Sequence, residues 1–560
     1  MTLSTRITGL SLIVAGGLVV ATACSDSSGP KQAASCGTRG TQISLAVGAY
    51  SSIDPGPDSG CVIFPANASP DSAEYLVLPW SAGGTPATSA PFTLKSVSAA
   101  AAPAMALTAS LSPARFGGAP SARGPAALAF DRMLRQSART ARYSLPARSV
   151  SAAGSVARAA LAGPPTVGSM RTFKVCANMA CSSFNNVGAV ARSVGLHIAI
   201  YVDTLAPAPG LSTSDLDSLK TLFDTRLYTL DTLTFGHVSD IDSNTVVIVL
   251  MSNTVNKLVT AATCNTSGYV AGFFFPADLA PGISQNYNNG EIFYSIVADS
   301  SGTLSCAHKP SEVNNVTPVT FTHEFQHMIN FVEHVLVKNG DSEEGWLDEG
   351  LSKYAEEIAG RSFGTQDPHF TQFAIGDVFD AYQYLAATGT SALMIPEDTG
   401  SLAEIGASWL FTRYIVDQFG DSLPGRLVRT ALTGAANVTS QTGQPFAQTV
   451  SQWALTNWVS DLPGFTTPTE LQYKLWHFRT TYGNLSSQDP TDFPAAYPLV
   501  PAVSAGSVVN VSGTLWSGSG VYVRALQGAN SAAFTLQLTG ALGTVVSPGV
   551  IPRLVVLRIR

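Results

Sequence analysis

The residues that most constrain this chain run from Thr317 to Asn330: Thr-Pro-Val-Thr-Phe-Thr-His-Glu-Phe-Gln-His-Met-Ile-Asn. Thr317 reads as an N-cap and Pro318 as a first helical residue. The helix is expected to run to Asn339-Gly340, where a left-handed turn is cheap. Phe321, Phe325, Met328, Ile329, Val332 and Leu336 recur at steps of three and four, which predicts a buried stripe. His323 and His327 stand four apart and so project from adjacent turns of one face. Two imidazoles placed in this way can hold one metal ion. Glu324 is then presented beside the ion, where its carboxylate can take a proton from water.

A third ligand is at hand downstream. Trp346-Leu347-Asp348-Glu349-Gly350-Leu351-Ser352-Lys353-Tyr354-Ala355-Glu356-Glu357 reads as a second helix with Leu347, Leu351, Tyr354 and Ile358 on its apolar face. A turn over residues 339–343 would fold it back as a hairpin and bring Glu349 to the ion. Two histidines and a glutamate leave one position open for water, as a hydrolytic zinc site requires. Glu356, two turns beyond Glu349 on the same face, and Asp348 are candidates to orient a ligating histidine. His197, His237, His308, His334, His369 and His477 have no ligand-like spacing and read as structural.

The motifs HEFQH and WLDEGLSKYAEE resemble those of the gluzincin group of zinc peptidases, and within it the hyicolysin-type bacterial secreted peptidases. The likeness runs from Leu196 to about Gly420, through HIAIYVDTLAP, FGHVSDID, GEIFYSIVAD and GASWLFTRYIVDQFG. It implies a zincin-like catalytic domain, one zinc ion on His323, His327 and Glu349, Glu324 as general base, and a protein or peptide substrate. It also implies that the strand over residues 291–298 borders the cleft and pairs with an extended substrate. The aminopeptidases of this group carry a GxMEN-type sequence, which Asn289-Gly290-Glu291-Ile292 does not match, so an endopeptidase is expected. An oxyanion donor should face the metal, and Tyr382, Tyr384 and Tyr414 are candidates by position. Two other functions stay open: an envelope-anchored binding lipoprotein with a non-catalytic metal site, and a zinc hydrolase acting on an ester or cell-wall substrate.

The rest of the chain frames this domain. Its 560 residues exceed one hydrophobic core. With 45% hydrophobic and 12% charged residues it is not disordered overall, and a net charge of −7 argues against nucleic acid as a partner. Residues 1–23 read as a secretory signal peptide, with Arg6 before an apolar run. Cys24 follows small residues as a lipoprotein cysteine would, although Ala21 stands where leucine is usual, and residues 24–41 read as a tether. An exported, membrane-anchored or secreted protein is expected. Of seven cysteines, six remain beyond Cys24, and neighbour pairing predicts Cys36–Cys61, Cys176–Cys181 and Cys264–Cys306.

The expected fold class is α+β, with the catalytic domain over residues 166–465 flanked by small β domains at 42–97 and 466–560. Residues 98–165 are rich in Ala, Pro and Arg. Arg115, Arg123, Arg132, Arg135, Arg139, Arg142, Arg148 and Arg158 face a single acid, Asp131. This segment reads first as a solvated linker and otherwise as a removable propeptide or a lipid-touching stretch. Its middle, residues 126–142, could form a basic amphipathic helix with Leu128, Phe130 and Leu134 apolar. Asp240-x-Asp242-x-Asn244 resembles the start of a calcium loop. Thr245 replaces the turn glycine and Met251 the bidentate glutamate, so an Asx turn is the first reading and Ca2+ the minor one.

Overall fold

A computed structural model of the chain describes residues 31–37, 39–97, 105–106, 122, 124–140, 163–279, 287–395 and 400–560. The signal peptide, Cys24, the first part of the tether, and Arg115, Arg123, Arg142, Arg148 and Arg158 lie outside these residues. The fold is mixed α+β, as its alternating and helical patterns imply. Among the described residues no helix is long and apolar enough to cross a membrane.

A six-stranded mixed sheet forms one half of the central body. Its order is Gly272–Phe274, Ile292–Ser295, Val247–Met251, Ile198–Asp203, Phe184–Val194, Met170–Cys176. Val247–Met251 runs parallel to both neighbours and is wholly buried, which explains its unbroken apolar sequence. The outermost strand, Gly272–Phe274, is antiparallel to Ile292–Ser295. Ile292–Ser295 is therefore paired on both sides. The strand expected to border the cleft is an interior strand, and among the described residues Gly272–Phe274 is the edge strand on that side.

The helical half packs beneath that edge. The histidine-bearing helix spans Pro310–Phe331 and continues through a wider turn to Val337. It starts earlier than its sequence suggests. Pro310 takes the first-turn position, so Pro318 lies inside the helix and Thr317 is not its N-cap. The missing Pro318 N–H loosens the ladder there, and the Asn315 carbonyl beside the gap accepts a bond from Gln372 Nε2 at 2.7 Å. Asn339 adopts a left-handed φ of 52°, which ends this segment as expected. The glutamate-bearing helix spans Gly345–Arg361. A Cβ on Gly350 would meet Ser408 O at 2.7 Å and would strike Thr412 Oγ1. Glycine thus lets the helix Leu402–Phe419 close onto the turn that carries Glu349.

The two terminal β regions are not separate domains. One sheet runs Thr41–Gln42, Cys61–Phe64, Phe534–Thr539, Ser89–Ser96, Asn510–Trp516, Met105–Ala106; the other runs Ala502–Ala505, Val523–Gln527, Ala73–Ser81, Pro552–Arg558, Tyr50–Ile53. Strands from both chain ends share one core of Val62, Phe64, Phe92, Val77, Leu536 and Val556. Period-two alternation marks each strand but carries no information about its partner. All nine residues of Ala73–Ser81 are buried, because Tyr75 and Val77 face the sandwich core while Leu76, Leu78 and Trp80 face the helical body. Trp80 packs edge-on against Trp453 and Tyr522. Residues 466–499 also join the helical body, through Tyr482 and Phe493.

The cysteines pair as neighbours: Cys36–Cys61, Cys176–Cys181 and Cys264–Cys306. Within the arginine-rich segment a helix spans Pro125–Thr140. The solvated-linker reading fails for this stretch, since Phe130 and Leu134 are fully buried and Ala126 and Ala138 nearly so. Phe130 meets Phe273 of the edge strand at 5.0 Å. Burying each large apolar side chain contributes about 1.5–3 kcal/mol, which holds the helix onto the body.

Candidate metal centre

The i, i+4 spacing of His323 and His327 places both rings on one face of their helix, and the antiparallel second helix brings Glu349 across from them. The two Nε2 atoms lie 3.1 Å apart. His323 Nε2 is 3.5 Å from Glu349 Oε2, and His327 Nε2 is 3.4 Å from Glu349 Oε1. Ligands bound tetrahedrally at about 2.0–2.1 Å would sit roughly 3.3 Å from one another. The observed triangle has that size.

The opposite ring nitrogens confirm how the triangle is aimed. His323 Nδ1 lies 2.8 Å from Glu356 Oε1, and His327 Nδ1 lies 3.0 Å from Asp348 Oδ2 and 3.1 Å from Ser352 Oγ. Carboxylates at Nδ1 hold the proton there, which turns the Nε2 lone pairs inward. The two Nε2 atoms thus face one another across 3.1 Å, where a proton or a metal ion can be shared. Glu349 Oε1 is buried without a hydrogen-bond partner among the described residues, as a carboxylate kept for an ion would be. His323, His327 and Glu349 could therefore hold a metal ion.

The electrostatics agree. Burial alone would raise Asp348, but His327 and Arg135 outweigh it and hold the carboxyl down at about 2. Burial opposes charge on His327, yet Asp348 and Glu349 carry its pKa up to about 10. Burial dominates at His323 and lowers its pKa in spite of Glu356. Four further carboxylates, Asp131, Glu324, Asp348 and Glu356, gather around this triangle against Arg135 and Lys353. Such a cage favours a cation.

Adjacent acids on the second helix divide their work. Glu356 turns to His323 and to Lys353, whose ammonium also reaches Asp377 and Asp380 at 3.4 and 3.5 Å. Glu357 turns away, into Trp409, Trp476, Arg361 and Arg413. Asn330 donates to Asp348, and Ser352 donates to Gln326 at 2.5 Å, so the orienting groups are themselves held.

Glu324 sits beside the triangle, with an oxygen within 4.8 Å of His327. Its Oε2 accepts from Phe274 N of the edge strand at 2.9 Å and from Arg135 Nη2 at 3.0 Å. Arg135 also grips Asp131 Oδ1 at 2.9 Å, and Asp131 in turn lies against Glu349. Asp131 and Arg135 belong to the helix Pro125–Thr140 and were not expected at the centre. Their signal in the sequence was one acid four residues before an arginine on the face of a basic helix.

The three tyrosines are elsewhere. Tyr382 OH bonds Ala495, Tyr384 OH meets Ser519 Oγ at 2.8 Å, and Tyr414 OH donates to Glu470 O at 3.0 Å. All three are buried on helix faces that pack into the body, with their hydroxyls engaged by these partners.

Asp240, Asp242 and Glu291 come within 4.8 Å of one another. Asp242 pairs with Arg171 and Asn244, and Glu291 accepts from Ser239 and Ile241 N. Val246 N donates to Asn244 Oδ1 at 2.7 Å, which is the expected Asx turn. His334 is buried 3.8 Å from Glu343 and away from the triangle.

The chain matches no protein-family model, and no curated protein is similar to it.

Proposed function

We infer that this protein is a zinc-dependent endopeptidase of zincin-like architecture. One observation carries the reading: three ligand atoms converge at tetrahedral spacing while Glu324 stands beside them and is not one of them. A purely structural ion has no use for that additional carboxylate. The donor set of two imidazoles and one carboxylate suits zinc and leaves a position for water. When bound, zinc would polarise the scissile carbonyl and acidify water.

The chain's own residues supply the rest. Glu324 takes the proton from the attacking water and returns it to the leaving amine. Asp348 and Glu356 keep both imidazoles in the tautomer that ligates. Gly272–Phe274 is the edge strand next to Glu324 among the described residues, and with its cover withdrawn an extended peptide can add to it by backbone pairing. That edge favours a polypeptide over an ester or a compact cell-wall fragment.

The test is zinc content by mass spectrometry together with cleavage of casein. His323→Ala and Glu349→Ala should lose zinc, whereas Glu324→Gln should keep it and cleave nothing. Equal cleavage by Glu324→Gln would remove the mechanism, and absence of zinc from the purified chain would remove the reading.

A further inference from the structure

The helix Pro125–Thr140 packs across the edge strand and the carboxylates of the centre. Phe130 rests on Phe273 of the edge strand. Arg132 Nη1 donates to Gly400 O at 2.6 Å, and the Ala138 carbonyl accepts from Ser342 Oγ at 3.5 Å. The helix is therefore anchored on both sides of the cleft. Between it and Glu349, Trp346 and Ile405 remains a cavity of about 50 Å³. That volume holds a few waters.

Two side chains one turn apart reach the centre itself. Asp131 has an oxygen within 4.8 Å of ligand atoms of both Glu324 and His327, and it contacts Glu349. A carboxylate there borders the centre on the side of His327 and Glu324. Arg135 is buried and binds Glu324 Oε2 at 3.0 Å, so its guanidinium fixes the carboxylate that must accept a proton. A charge-assisted bond of this kind occupies the carboxylate oxygen and holds it away from water. A covered edge strand, a carboxylate beside His327 and a clamp on Glu324 come from one helix. A roof element of a working site would have no reason to combine all three.

We propose that the helix Pro125–Thr140 is a built-in inhibitor of the metal centre, with Asp131 filling the fourth ligand position and Arg135 clamping Glu324. The chain is then latent until this helix is displaced. The proposal rests on the zinc-peptidase reading, and its test separates the two.

Three zinc-loaded full chains are compared: wild type, Asp131→Ala with Arg135→Ala, and Phe130→Asp, which undocks the helix by burying a charge. The first readout is affinity for a small peptidyl hydroxamate, which ligates zinc and needs the fourth position free. The second is the visible spectrum of the cobalt-substituted chains, which reports the ligand set. The third is casein cleavage. Both variants should bind the hydroxamate about tenfold or more tighter than wild type, and their cobalt spectra should differ from wild type. Cleavage should rise by a similar factor. The two variants fail to fold for different reasons if they fail at all, so agreement between them excludes a folding artefact. Tighter hydroxamate binding without cleavage by any chain would support the helix as inhibitor and count against the peptidase reading. Equal hydroxamate affinity, spectra and cleavage in all three chains would overturn the proposal while leaving the peptidase intact.

Discussion

Removing the charge of Glu356 tests whether the centre is organised from behind. Its Oε1 receives the Nδ1 proton of His323 at 2.8 Å in a site where Glu356 is 2% exposed. A charge-assisted hydrogen bond contributes about 1.5–3 kcal/mol and a neutral one about half as much. Glu356→Gln keeps an acceptor of the same shape, so about 1 kcal/mol should be lost, or about fivefold in zinc affinity. Glu356→Ala removes the acceptor altogether and should cost about 10–100-fold. The fold should tolerate both, because Lys353 keeps Asp377 and Asp380 as partners. Zinc affinity is measured by competition with a chromophoric chelator at fixed pH, with circular dichroism as a check on folding. Unchanged affinity in Glu356→Ala, with zinc still bound, would refute the claim that this carboxylate aims His323 at the ion.

Three further outcomes are expected. Glu324→Gln, in a chain whose Pro125–Thr140 helix is undocked, should lower kcat about 10²–10⁴-fold with zinc content unchanged, measured as turnover of a quenched peptide. Tyr382→Phe, Tyr384→Phe and Tyr414→Phe should leave turnover unchanged, each costing about 0.5–1.5 kcal/mol of stability through one lost hydrogen bond. Asp231 is fully buried with neither oxygen partnered among the described residues, and burial raises its pKa well above the usual range. The folded state then holds a proton that the unfolded state releases above about pH 4, so stability falls as pH rises through that window. Asp231→Asn should therefore stabilise the protein in urea unfolding at pH 8 by about 1–3 kcal/mol and have no such effect at pH 4; equal effects at both pH values would contradict this account.

The mixed character of the site follows from distances along the chain. His323, Glu324 and His327 lie within five residues on one helix, so helical period alone orients them, wherever that helix is packed. Glu349 is placed by a hairpin of two adjacent helices, and Gly350 marks the close approach that secures it. Glu356 falls two turns further along the same face. All of these were legible because each rests on periodicity or on a short connection. The neighbour disulfides follow the same logic of short range.

What only the tertiary structure decided is which distant segments meet. Tyr382, Tyr384 and Tyr414 lie on helices whose buried faces are set by their packing against residues 453–519, a matter that local sequence does not address. The terminal strands alternate clearly, yet a strand's pairing depends on which edges are presented to it, and here the two chain ends interleave in one sandwich. The edge strand at the cleft is Gly272–Phe274 and not Ile292–Ser295 for the same reason. Asp131 and Arg135 show the principle most sharply: a one-turn spacing on a basic helix was visible in the sequence, but its meaning came only when Phe130 and Leu134 docked that helix beside a candidate metal centre about 200 residues further along the chain. Local order is written in residues a few positions apart; complementarity between surfaces exists only once the chain has brought them together.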